Sequence, residues 1–79
     1  MSRGDTKRIT RQVHKLGFGL TKKRIGNGPT LFQIHGAGVE IGKLWDEGIR
    51  FENADPDSDY MWYSREDSLR LLEILTDRN

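Results

Sequence analysis

The sequence predicts an α+β domain: a three- to four-stranded antiparallel sheet with an N-terminal and a C-terminal helix packed on one of its faces. Three observations predict it. Apolar residues recur at helical spacing at both ends of the 79-residue chain, at Ile9, Val13 and Leu16 and again at Leu69, Leu72 and Leu75. Between them the period shortens to two, and glycine-containing turns separate the segments. The chain contains no Cys, so neither a disulfide framework nor a thiolate zinc site organises it. A length of 79 residues predicts a single small domain spanning 1–79, with 1–5 and 77–79 frayed.

Taken in chain order, residues 6–16 predict the first helix. Asp5, or Thr6, can cap its free N–H groups, and Gly17 supplies a left-handed stop, followed by Phe18 folding back onto the last turn. Lys7, Arg11 and Lys15 lie four apart on a face away from the apolar stripe, with Arg8 beside them. Residues 18–25 then predict a first strand, Gly26-Asn27-Gly28-Pro29 a turn, and Thr30–His35 a second strand. The alternation of Val39-Glu40-Ile41-Gly42-Lys43-Leu44-Trp45 predicts a third. Ile49–Glu52 and Tyr60–Tyr63 are candidates for a further short strand, on either side of the acidic loop 53–59. Ser64 predicts a helix N-cap with carboxylates in the first turn, and the final helix follows through Thr76.

The charge is distributed unevenly. Residues 1–43 carry nine Lys and Arg against two carboxylates, and residues 44–79 carry four against ten, although the whole chain is only +1. Cations gathered in this way suit a polyanion. Lys7, Arg8, Arg11, Lys15, Lys22, Lys23 and Arg24 are therefore the expected phosphate contacts of a small non-catalytic nucleic-acid-binding protein, for RNA or another duplex. Neither an aromatic-rich RNA-reading strand nor a helix-turn-helix pair accompanies them, so the expected contacts are to backbone rather than bases. The competing reading is that the two halves neutralise each other as surface ion pairs.

A second functional reading belongs to another class: an accessory protein, of the kind phages and mobile elements encode, that binds or inhibits a host protein. Trp45, Asp46, Glu47, Asp55, Asp57, Asp59, Tyr60 and Trp62 would form its acidic aromatic face. A domain this small also leaves homodimerisation open. The spacing of Asp55, Asp57, Asp59 and Glu66 imitates a calcium loop, but Tyr60 stands where the turn needs Gly and Pro56 intrudes. The sequence predicts no metal and no cofactor. Apolar runs are too short to span a bilayer and the first residues carry no apolar leader, which predicts a soluble, cytoplasmic protein.

Lys15-Leu16-Gly17-Phe18, Gly26-Asn27-Gly28 and Phe32-Gln33-Ile34-His35-Gly36 resemble the first two-thirds of HicA-type toxins over residues 7–44. That resemblance implies a double-stranded-RNA-binding-like α-β-β-β-α order and an mRNA-cleaving activity. The family's catalytic histidine follows the turn into the second strand, where this chain reads Gly28-Pro29-Thr30-Leu31. His35 comes several residues later, so the resemblance speaks to fold more than to catalysis. As a general base, His35 would need a cation such as Lys22 or Arg24 beside it. His14 reads as a surface or structural residue.

Overall fold

The computed structural model describes residues 3–24, 26–51 and 61–78. Its elements are α1 (Arg3–Lys15), β1 (Gly19–Arg24), β2 (Thr30–His35), α2 (Gly38–Asp46) and α3 (Arg65–Arg78). The α+β class holds, with three helices and a two-stranded antiparallel sheet among the described residues.

The expected ends of the first helix are half right. α1 starts at Arg3, so Asp5 lies in the first turn instead of capping it, and its carboxylate reaches Arg65 of α3 at 3.6 Å. The C-terminus ends as the sequence predicts. Gly17 adopts φ +83°, and its N–H and that of Phe18 bond back to the carbonyls of His14 (3.1 Å) and Val13 (2.9 Å). This pair of bonds satisfies carbonyls that the last helical turn would otherwise strand, and glycine takes the positive φ without steric cost.

The third predicted strand is a helix. Residues 39–45 lie within α2, because Ala37, Ile41 and Leu44 recur at helical spacing and all three are buried, while Val39 points outward at 70% exposure. A strand would have placed Val39 and Ile41 on the same face. The same carbonyl-capping pair closes α2: Gly48, at φ +88°, bonds to Trp45 and Ile49 bonds to Leu44. Ile49, Arg50 and Phe51 form no strand, and Glu52 and the acidic loop lie outside the described residues. Met61–Tyr63 contributes one bridge, in which Phe32 and Tyr63 exchange N–H···O bonds of 2.9 and 2.7 Å on the side of β2 away from β1. Among the described residues the sheet is therefore two strands plus a one-residue bridge.

Ser64 caps α3 as predicted, accepting the Asp67 N–H at 3.1 Å. The terminal residues 77 and 78, expected to fray, are helical. α1 packs beside α3, with α1 against β1 and α3 against β2. Ile9 and Val13 of α1, Phe32 and Ile34 of β2, Ile41 and Leu44 of α2, and Leu71, Leu72 and Leu75 of α3 form one buried cluster with Ala37, Phe51 and Tyr63. Phe51 meets the Tyr63 ring edge-on at 6.2 Å, a favoured aromatic geometry. The core thus holds α1 and the hairpin in fixed relation, which is what a surface built from both requires.

Candidate nucleic-acid interface

Burying Ile9 and Val13 turns the opposite side of α1 to solvent. Lys7, Arg11 and Lys15 occupy that side and are exposed, as are Arg8 and His14. At 1.5 Å rise per residue, Lys7 and Lys15 are about 12 Å apart along the axis, a span over which one duplex strand places three or four phosphates. Arg8 points differently. With Gln12 it shares a shallow groove against Leu69, Glu73 and Asp77 of α3, so carboxylates border this one cation.

The hairpin register decides where the strand cations lie. Lys22 pairs with Phe32 and Arg24 with Thr30, whereas Thr21 pairs with Gln33 and Lys23 with Leu31. Directly paired residues share a face. Lys22 and Arg24 therefore sit on the helix-bearing side, with the buried Phe32, and flank α1. The sequence offers either of them as a cation beside His35, and the register corrects this, since both lie on the face away from it. Lys23, alone of these cations, lies on the opposite face with Leu31, His35 and the buried Gln33, where its ammonium lies 5.3 Å from the centroid of the Trp62 ring.

Ion pairing among the described residues leaves this surface unneutralised. Among the described residues, Arg65 pairs with Asp5 and with Glu66, and Arg78 pairs with Glu47. Each pair takes its cation from the C-terminal, acidic half, and none involves the seven candidate phosphate contacts. The pair between Arg78 and Glu47 is bidentate at 2.5 and 2.7 Å, and its hydrogen bonds hold the Glu47 carboxyl below the ordinary glutamate value and raise Arg78. Glu66 is lowered by its own backbone N–H and by Arg65. Of the two carboxylates in the basic half, Asp5 is engaged by Arg65, and Glu40 lies on α2, beside Leu16, Phe18 and Lys43 in a cleft of about 500 Å³.

His35 is not gathered into a catalytic cluster. Its Nε2 lies 2.8 Å from Thr21 Oγ1, and its strand partner is Gly19. Lys22 and Arg24 are three and five residues further along β1, about 10 Å and more at 3.3 Å per residue, and on the other face. The expected pairing of His35 with either cation is thus not formed. No group of three metal-ligating side chains forms among the described residues.

The acidic aromatic face is partly described. Asp55, Asp57, Asp59 and Tyr60 lie outside the described residues. Trp45 is half-buried with the Arg50 guanidinium 4.0 Å from its ring centroid, and Arg50 also donates to the Trp45 carbonyl. Glu47 is taken up by Arg78, and Asp46 is exposed. Sequence reasoning missed Arg50 and Lys23 as partners of these rings. The turn at Gly48 could have suggested the first, since it folds the chain back beside the last turn of α2.

No helix is long and apolar enough to cross a membrane among the described residues. Comparison with known protein families, curated proteins and solved structures finds no match.

Proposed function

We propose that this protein binds the phosphate backbone of RNA or another nucleic-acid duplex without catalysis, using Lys7, Arg11, Lys15, Lys22 and Arg24. One observation carries the reading: these five cations line the solvent side of α1 and the flanking, helix-bearing side of β1, and the ion pairs of the described residues leave all of them uncommitted. Phosphate contacts by such groups release condensed counterions, which drives binding and makes it depend steeply on salt. Arg8 and Lys23, beside the α3 carboxylates and the Trp62 ring respectively, take a lesser part.

Binding through the acidic aromatic face has weaker support, because the rings of both Trp45 and Trp62 already carry a cation. A HicA-like ribonuclease would need a base within reach of cations, and His35 has Thr21 instead. The test is an electrophoretic shift with an RNA duplex. Reversing charge in Arg11→Glu with Lys15→Glu is expected to abolish the shift while the protein stays folded, since both residues are exposed and the relieved cation repulsion opposes the loss of a cation from the last turn of α1. A shift that survives the double reversal contradicts the assignment.

A further inference from the structure

Hydrogen bonding fixes which main-chain groups of the hairpin face outward. Phe32 donates its N–H to Tyr63 and accepts the Tyr63 N–H, so both of its main-chain groups point away from β1. In an antiparallel ladder, the residue opposite such a partner also turns its N–H and C=O away from the pair. Lys22 lies opposite Phe32. The period of two extends this to Leu20, opposite Ile34, and Arg24, opposite Thr30, while Thr21 and Lys23 spend their groups on Gln33 and Leu31. The outer edge of β1 therefore presents the N–H and C=O of Leu20, Lys22 and Arg24 over about 13 Å. Among the described residues no strand lies beside it.

Three possible occupants are distinguished by chemistry. A second copy pairing antiparallel through β1 would bring Lys22, Lys23 and Arg24 of both chains together, and like charges directly opposite are destabilising. A phosphodiester presents only acceptors to this edge, so the outward carbonyls repel it. A peptide strand alternates donors and acceptors at the matching interval, and carboxylates on it would meet the exposed cations. We propose that the β1 edge is a docking strand for an extended, acidic segment of a partner protein, which adds to the sheet beside Leu20–Arg24. Lys22 and Arg24 then serve both ligands, so such a segment competes with nucleic acid, whereas Arg11 and Lys15 on α1 belong to the nucleic-acid surface alone.

The test titrates the full chain with a short, end-blocked peptide alternating Glu and Val, read by amide hydrogen exchange. Protection at the Leu20, Lys22 and Arg24 amides is expected to rise roughly tenfold or more, with the Thr21 and Lys23 amides, already in the ladder, little changed. Lys22→Gln and Lys22→Pro remove the same charge, but only proline deletes the outward N–H. An edge N–H outside the ladder is a position where proline is tolerated. Lys22→Gln is expected to weaken the peptide several-fold and Lys22→Pro to abolish it. Should the proline variant misfold, N-methylation of the peptide gives the same discrimination on the intact protein: methyls on the edge facing β1 abolish binding, and methyls on the far edge do not. Arg11→Gln with Lys15→Gln should leave peptide affinity intact while weakening the RNA duplex, which separates this proposal from the phosphate reading. Binding without protection of the three edge amides, equal binding of a Lys-Val peptide, or indifference to which peptide edge is methylated would each overturn it.

Discussion

α1 and α3 pack side by side against the same core, yet they use charge in opposite ways. The solvent side of α1 carries Lys7, Arg11 and Lys15 with no carboxylate among them, and the ion pairs of the described residues pass them by. α3 mixes signs: Arg65 engages Asp5 and Glu66, Arg78 engages Glu47, and the Arg70 guanidinium sits 4.9 Å from the Phe51 ring centroid while donating to the Arg50 carbonyl. Charge on α3 ties elements together. Charge on α1 has no ion-pair partner among the described residues. Cations that stay close to one another with no partner raise the energy of the folded state by mutual repulsion, and a polyanion relieves that repulsion.

Removing the platform breaks the comparison altogether. Leu71 is fully buried, and Leu71→Ala leaves a cavity beneath both helices. It should cost about 2–5 kcal/mol, enough to unfold much of a domain this small, measured by urea denaturation. The charge reversal at Arg11 and Lys15 comes next: it should remove nucleic-acid binding while the protein stays folded. Making α3 resemble α1 sharpens the contrast further. Glu73→Lys with Asp77→Lys, both exposed and both bordering Arg8, should strengthen duplex binding a few-fold at low salt, with stability changed by no more than about 0.5 kcal/mol.

The smallest effect concerns the tie between Arg78 and Glu47. The lowered Glu47 carboxyl contributes stability that is present above the unfolded glutamate pKa of about 4.3 and is lost as the pH falls through the folded value. Arg78→Ala should therefore lower the thermal midpoint slightly at neutral pH. That difference should vanish in acid, and a difference that persists at pH about 3 would show that Glu47 is not its source.

What the sequence disclosed depended on whether local chemistry and tertiary packing agreed. Ile9, Val13 and Gly17 announce α1 and its end because the apolar stripe and the left-handed stop are both local signals. Ser64 likewise announces the start of α3. Residues 39–45 misled, because Val39, Ile41 and Lys43 alternate while the spacing that decides the packing, Ala37 to Ile41 to Leu44, runs across the apparent turn at Gly36–Gly38. Gly48 held the corrective signal: a glycine just past Leu44 and Trp45 is a helix stop. The cation set was legible from composition, but its division was not. Which face receives Lys22 and which Lys23 depends on a register that a single residue's slip would invert, and no local residue type fixes it.

The most direct test of the central claim is the salt dependence of duplex RNA binding for the parent protein and for Arg11→Gln with Lys15→Gln. With five phosphate contacts, log K against log salt should fall with a slope of about −4.5, and the double variant should flatten it by about 1.8. Parallel lines of equal slope for the two proteins, or no binding by the parent at about 50 mM salt, would contradict the account.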